Sequence, residues 1–310
     1  MKDCDQLGKY RIDAILGEGG MGVVYKGWHP TLEVHVAIKT IRRSMLGGRE
    51  GRELRERFAL EARASARLKH DNIVRVYDFE EDAEGDPFFV MDFVEGKSLK
   101  EFLARGMHFN MEMSLHIISQ ILSALAHSHE NGVIHRDIKP ANIILLEDDS
   151  VKIADFGIAH IEDSDLTQTG KMLGTPQYSS PEQLTGGKID GRSDLYSTGL
   201  VLYELLTGER LVSKKTEGLK IDRLAAENLA KMELYSAENL GILKVVISRA
   251  LATLPETRFQ NAADFNAALQ PLAKQPGTKN TADNHSPSQR TRIIATLVAT
   301  LVIAAVATLG

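Results

Sequence analysis

In the first hundred residues, apolar positions come in short β-rich runs separated by glycine-rich or acidic turns. Residues 10–16 alternate enough for a strand and run into Gly17-Glu18-Gly19-Gly20-Met21-Gly22; Val23, Val24 and Tyr25 continue as strand, and residues 34–39 supply a β-rich partner. Residues 73–79 and 87–94 predict two further strands around the acidic turn 80–86. Between these groups, residues 49–69 are charged, amphipathic and rich in alanine, which predicts a helix. From Ser98 onward helical patterns dominate. Leu115, Ile118, Ile121, Leu122, Leu125 and Ala126 recur at the 3.6-residue period, predicting a helix over 115–131 that Gly132 stops. Two apolar runs, 143–146 and 151–154, flank Glu147-Asp148-Asp149-Ser150 and predict a hairpin with an acidic tip. An apolar helix is expected from Asp190 through Leu206, and a short closing helix over 261–272.

Composition changes this picture little until the end of the chain. With 43% hydrophobic and 25% charged residues the 310-residue chain is ordinary globular protein, and a net charge of −5 gives no reason to expect nucleic-acid binding. A single cysteine, Cys4, excludes an internal disulfide framework and a cysteine-rich zinc site and suits a reducing compartment. The start, Met1-Lys2-Asp3-Cys4-Asp5, has no apolar segment behind it, so no secretory signal peptide is expected. Residues 274–292 carry Pro276-Gly277 and Ser286-Pro287-Ser288 with few apolar positions, the composition of a flexible linker. After Arg290 and Arg292, residues 293–309 are uncharged Ile, Ala, Thr, Leu and Val; with Gly310 they would span roughly 27 Å as a helix. We read this segment as a membrane anchor with the arginines on the cytoplasmic side.

The candidate chemistry lies on the hairpin. By returning the chain, it should bring Asp155 near Asp137 and Asn142. Two carboxylates and a carboxamide suit a hard, oxygen-ligated cation such as Mg²⁺ and leave one Asp to orient an attacking hydroxyl. The Gly-x-Gly-x-x-Gly run is weak evidence alone, since dinucleotide-binding folds also use it. There the last glycine opens a helix, whereas here strand follows. A glycine loop between two strands can fold over phosphates with its backbone N–H groups, and Val24 and Ala37 would offer apolar surface to an adenine.

His135-Arg136-Asp137-Ile138-Lys139-Pro140-Ala141-Asn142, with Asp155-Phe156-Gly157 following, resembles the catalytic and metal-binding loops of the protein kinases. The resemblance implies that Asp137 orients the substrate hydroxyl and accepts its proton. Asn142 and Asp155 would hold Mg²⁺ (or Mn²⁺) bridging the ATP phosphates. Lys139 resembles the serine/threonine-specific branch, where it meets the γ-phosphate. Val36-Ala37-Ile38-Lys39 resembles the strand whose lysine binds the α and β phosphates; Glu61 matches the glutamate that pairs with it, and Glu56 is the next candidate. Residues 89–96 resemble the hinge, where backbone groups of Asp92 and Val94 would bond the adenine edge with Met91 at the back of the pocket. The glycine loop, Gly17, Glu18, Gly19, Gly20, Met21 and Gly22, would cover the phosphates.

Residues 158–182 resemble an activation segment, with Thr167 and Thr169 as its phosphoacceptor candidates and Arg136 as the arginine that pairs with a phosphate there. Thr175 would contact Asp137 and Lys139. Ser180 stands where alanine is more frequent, and residues 209–238 lack the proline-rich turn of many relatives, which leaves substrate choice open. Asp194 would hold the catalytic loop and Arg258 would pair with Glu182, both structurally. His127 and His129 lie two apart, on different faces of a helix, and do not form a metal pair.

The resemblance therefore implies an α+β, two-lobed protein kinase fold plus a C-terminal transmembrane helix, similar to the membrane-anchored serine/threonine kinases of bacteria. The domain would span 1–272, with a β-rich N-lobe over about 7–91, the hinge at 92–96 and a mainly helical C-lobe over 97–272; linker 273–292 and anchor 293–310 follow. Protein substrates carrying Ser or Thr and the membrane are the implied partners, and a homodimer through the N-lobes fits the same resemblance. A scaffold lacking activity would normally miss one of Lys39, Asp137, Asn142 or Asp155, and all four are present. A small-molecule phosphotransferase could share the Asp–Asn–Asp set, but Lys139 and residues 174–182 favour a protein substrate.

Overall fold

The computed structural model describes residues 6–20, 22–107, 109–156, 177–211, 225, 228 and 236–273. Met21, the two loop threonines Thr167 and Thr169, the linker and the apolar C-terminal segment lie outside the described residues.

The N-terminal half is built on a six-stranded sheet: β1 (Gln6–Leu7), β2 (Tyr10–Glu18), β3 (Gly22–His29), β4 (Val34–Ile41), β5 (Val76–Glu81) and β6 (Pro87–Asp92), in the order β1-β2-β3-β4-β6-β5 with antiparallel neighbours. The register opposes Val24 to Lys39 and Lys26 to Ala37, so alternation places Val24, Ala37 and Lys39 on one face. Val36 and Ile38 fall on the other face, in a separate core with Leu7, Tyr10, Phe88 and Val90. Helix α1 (Gly48–Arg67) covers the Ala37 face by burying Phe58 and Ala62 against Ile41, Val76, Phe89 and Met91. The Phe58 and Phe89 rings meet at 4.9 Å between centroids; burying one such side chain contributes about 2–3 kcal/mol. This packing aims Glu61, one residue before Ala62, into the sheet face that carries Lys39.

Past β6 the chain becomes mainly helical, with α2 (Leu99–Ala104), α3 (Met111–Glu130), α4 (Pro181–Thr185), α5 (Gly191–Thr207), α6 (Ala237–Ala250) and α7 (Ala262–Ala273), and one small sheet, β7 (Lys97–Ser98), β8 (Ile143–Leu145) and β9 (Val151–Ile153). Helix α3 packs on α5 and α7 and supplies Ile117, Ile118, Ile121 and Leu125 to a core shared with Leu202, Val246 and Phe265. Asn110 caps it, accepting from the Met113 N–H at 2.8 Å, so the helix begins four residues before the predicted start. At its other end Gly132 takes the left-handed conformation (φ 72°), as a helix-terminating glycine does.

Two predicted strands differ in extent. The 73–79 run becomes strand from Val76, because Ile73 pairs in parallel with Ile153 and the Val74 N–H donates to Ile153 O at 2.9 Å. The 87–94 run ends as strand at Asp92, leaving Phe93 and Val94 in the connection to β7. Among the described residues no helix is long and apolar enough to cross a membrane.

Candidate active site

The 143–153 hairpin delivers its two flanks to one place. Ala154 N–H donates to Asn142 O (2.9 Å), tying the residue before Asp155 to the residue before β8. The Asn142 amide nitrogen donates to both the backbone carbonyl (2.9 Å) and the carboxylate (3.0 Å) of Asp137. Lys139 Nζ reaches the same Asp137 oxygen at 2.7 Å. Asp137, Lys139, Asn142 and Asp155 are thus brought together, and Asn142 spends its amide nitrogen on Asp137 while its side-chain oxygen remains an acceptor.

From the N-terminal sheet, Lys39 Nζ reaches Asp155 Oδ1 at 2.9 Å and Glu61 Oε1 at 3.0 Å. The structure pairs Lys39 with Glu61, not Glu56. Burial works against the Lys39 charge, yet the Asp155 and Glu61 carboxylates hold its pKa above the ordinary lysine value. Glu61, 4% exposed, is pushed up by burial more than Lys39 pulls it down. Asp155 also loses solvation, but Lys39 wins and holds its carboxyl below the usual range. One cation between two carboxylates therefore links α1, β4 and the segment after β9.

Two backbone conformations aim these groups. Arg136 (φ 66°) and Asp155 (φ 57°) are both in the left-handed region, which costs a non-glycine residue of order 1 kcal/mol or more. The Arg136 cost is offset by buried Asp194, whose carboxylate accepts the His135 N–H at 2.9 Å and the Arg136 N–H at 2.7 Å. His129 completes that carboxylate, Nε2 to Oδ2 at 2.8 Å. The fully buried His135 imidazole spans the site. Its Nδ1 accepts the Asp137 N–H (3.2 Å), so Nε2 carries the proton donated to Ala154 O (3.1 Å), and its ring lies 4.6 Å from Phe156. Burial lowers its pKa, which keeps the ring neutral.

The opposite wall is apolar. Val24, Val94 and Ala154 pack against the apolar cluster that contains Ala37 and Met91, and a small cavity lies between Glu61, Met91, Asp155 and Phe156. The Asp92 N–H donates to Arg75 O at 2.9 Å, and its carboxylate takes the Tyr77 hydroxyl. Over the top, the Gly19 N–H donates to Gly22 O at 2.9 Å to close the glycine turn. A side chain at Gly22 is excluded because its Cβ would stand 1.9 Å from Thr40 O. Gly17 and Glu18 thus end β2, paired with Val24 and Val23 of β3, and Gly19 and Gly20 begin the turn between the two strands.

Below the site, α4 is tied to the catalytic loop by Gln183, whose amide donates to Arg136 O at 2.7 Å. Glu182 is held by Arg258 and by the Ser193 hydroxyl at 2.6 Å. Sequence reasoning missed the buried Glu204, which takes the Tyr178 hydroxyl and Arg210 Nε (3.0 Å). An acid inside an otherwise apolar helix run was its only signal.

Comparison with known proteins is consistent with this geometry. The protein kinase domain family matches residues 10–265. Serine/threonine-protein kinase pkn3 of Myxococcus xanthus is 38% identical over 289 residues, covering 90% of this chain and 52% of its own. Serine/threonine-protein kinase PknB of Mycobacterium tuberculosis is 39% identical over 273 residues (84% and 42%), and PrkC of Bacillus subtilis 37% over 271 (85% and 40%). The chain thus spans about half or less of the length of these curated relatives. Among solved structures, the PknI kinase domain of Mycobacterium tuberculosis is 29% identical with a TM-score of 0.67, covering 87% of this chain and 99% of that one.

Proposed function

Because the chain belongs to the protein kinase family, we propose that it is a serine/threonine protein kinase, transferring the γ-phosphoryl group of ATP to a Ser or Thr hydroxyl of a protein. The observation that carries this reading is the convergence of Asp137, Asn142 and Asp155 with the Lys39–Glu61 pair beneath a glycine loop. Lys139 against Asp137 supports the serine/threonine branch, as do the names of the relatives.

The residues fit the two cofactors. Asn142 and Asp155 offer oxygen ligands, and two protein ligands completed by phosphate oxygens and water are the habit of Mg²⁺. The ion would neutralise the phosphate charge as it builds; Mn²⁺ would serve in its place. Val24, Ala37, Met91 and Val94 would hold the adenine. The Asp92 N–H is spent on Arg75, so the adenine edge would use the Asp92 carbonyl and the backbone of Val94. Lys39, fixed by Glu61, would hold the α and β phosphates, and Gly17–Gly22 would cover them.

Asp137 would orient the acceptor hydroxyl and take its proton, with Lys139 beside it neutralising the transferred group. Catalysis on this reading is chiefly positioning and charge neutralisation, since the charged groups are already oriented by Asp194, His135 and Glu61. The acceptors would include the chain's own Thr167 and Thr169. Residues 293–309, uncharged and preceded by Arg290 and Arg292, support a single-pass membrane anchor with the kinase domain cytoplasmic.

The test is incubation of the chain with Mg-ATP beside an Asp137→Asn variant, with phosphosites mapped by mass spectrometry. Phosphate on Thr167 or Thr169 that disappears in the variant is the expected result. A folded chain that binds no ATP would overturn the assignment.

A further inference from the structure

Arg42 lies just past the end of β4 and belongs to none of the groups assigned above. Its Nε donates to Gly19 O at 3.0 Å and its Nη2 reaches Glu18 Oε2 at 3.3 Å. One guanidinium therefore grips the glycine loop twice, through a backbone carbonyl and a side-chain carboxylate. The arginine is itself braced. It precedes the short 3₁₀ turn Arg43–Met45, and Met45 and Leu46 pack in the same apolar cluster as Leu54 and Phe58 of α1. The loop is thus strapped to the segment that leads into the helix carrying Glu61.

We propose that Arg42 is a positioning residue for the nucleotide phosphates, acting through the peptide between Gly19 and Gly20. This rests on the ATP-binding reading of the site. Neither residue of that peptide has a Cβ, so it can rotate at little cost and present either its N–H or its C=O to the cleft. The two faces are opposite in consequence: an N–H attracts a phosphate and a carbonyl oxygen repels it. A trans peptide holds C=O and N–H antiparallel. Fixing Gly19 O on the arginine therefore turns the Gly20 N–H the opposite way and keeps the carbonyl from swinging in. Glu18 adds the second prong, which a charge-assisted contact makes directional. Both side chains are about 40% exposed, so the effect is moderate and depends on salt.

The experiment compares binding of Mg-ATP and of adenosine to the full chain and to Arg42→Gln, Arg42→Lys and Glu18→Gln variants, by calorimetry. Arg43→Gln is the control, since Arg43 is 72% exposed and faces Asp86 at 3.6 Å. Arg42→Gln is expected to weaken Mg-ATP about three- to tenfold, the size of one ordinary hydrogen bond, since solvent screens the exposed pair, while adenosine binding stays unchanged. Arg42→Lys and Glu18→Gln should fall between it and the unaltered chain, and Arg43→Gln should match the unaltered chain. Unchanged Mg-ATP affinity in Arg42→Gln would overturn the proposal. Equal loss for ATP and adenosine would also overturn it, because the residue would then be supporting the fold. An unaltered chain that binds neither ligand would reject the nucleotide reading itself, and the proposal with it.

Discussion

Arg258 and Glu182, 76 positions apart, meet in a two-pronged ion pair: Nη1 to Oε1 at 2.7 Å and Nη2 to Oε2 at 2.8 Å. The arginine side chain is fully buried, and its remaining donors go to Ala252 O (Nε, 2.7 Å), Thr253 O (Nη2, 3.0 Å) and Arg192 O (Nη1, 3.3 Å). The pair clamps α4, and with it Gln183 and the catalytic loop, to the segment before α7. Removing one partner strands the other in the interior. Arg258→Met is therefore expected to cost about 3–5 kcal/mol of unfolding free energy, measured by urea denaturation. A loss below 1 kcal/mol would mean that water reaches Glu182 once the arginine is gone.

The same pair sets an acid limit. Burial alone would raise the Glu182 pKa, but hydrogen bonds from Arg258 and Ser193 dominate and bring it from 4.5 to about 2. A carboxyl depressed in the folded state binds its proton first in the unfolded chain. Its stabilisation is complete above the unfolded pKa and disappears as pH falls from about 4.5 toward 2. The difference is on the order of 3 kcal/mol. A Glu182→Gln variant should show a flatter decline of stability across that window than the unaltered chain.

His135 makes a second pH-dependent contribution at milder acidity. Burial depresses its pKa below 6.5, and its hydrogen bonds require neutral imidazole, with Nδ1 accepting from Asp137 N–H. The unfolded chain protonates first as pH drops through 6.5, so stability that is full above 6.5 declines below it. His70, also depressed by burial and by neighbouring His127, acts in the same direction. Thermal melts between pH 7.5 and 5 should show a falling midpoint, with a shallower fall in His135→Tyr. Equal slopes would remove His135 from the account.

Asp194 is expected to matter more for activity than its distance from the acceptor suggests. Its carboxylate holds two backbone N–H groups, one of them on Arg136 with φ 66°. Asp194→Ala leaves both N–H groups and the His129 ring without that partner and lets the peptide relax out of the left-handed region. A loss of kcat well beyond any rise in KM for ATP is the expected signature, because Asp137, proposed to orient the acceptor, would move while the apolar wall would not. If KM and kcat changed in proportion, the residue would be serving only the fold.

Much of this arrangement was legible from local chemistry. The hairpin flanking Asp148 and Asp149 could be read because β-branched runs and an acidic turn are local signals. The pairing of Lys39 with Glu61, ahead of Glu56, was implied by the family resemblance through the position of Glu61 relative to the turn at His70, and not by local chemistry. What could not be read depends on tertiary partners. Ile73 looked like strand, but it is claimed by Ile153 of the hairpin, far along the chain. The positive φ of Arg136 and Asp155 runs against residue preference and is held by tertiary partners, Asp194 and Gln183 for Arg136 and the lysine bridge for Asp155. Asn110, as a cap, sets the start of its helix at Met111, four residues ahead of the hydrophobic period that begins at Leu115. Arg42 carried no motif at all, since its role depends on where the glycine loop folds.

The Lys39 bridge allows the sharpest separation of binding from chemistry. Lys39→Met removes the cation between Glu61 and Asp155 but leaves Val24, Ala37 and Val94 in place. ATP affinity is then expected to fall modestly, because the adenine contacts survive. Phosphoryl transfer should fall by about 10²–10³, the usual loss for one preorganised charged donor. Glu61→Gln tests the same bridge from the other side. Its amide can still accept from the lysine but carries no charge, so Lys39 would be drawn wholly to Asp155 and away from the phosphates. The rate is expected to fall less than in Lys39→Met, and the double variant to be no worse than Lys39→Met alone. Additive losses in single-turnover measurements would show instead that the two residues act independently, and that Glu61 does something in α1 besides hold the lysine.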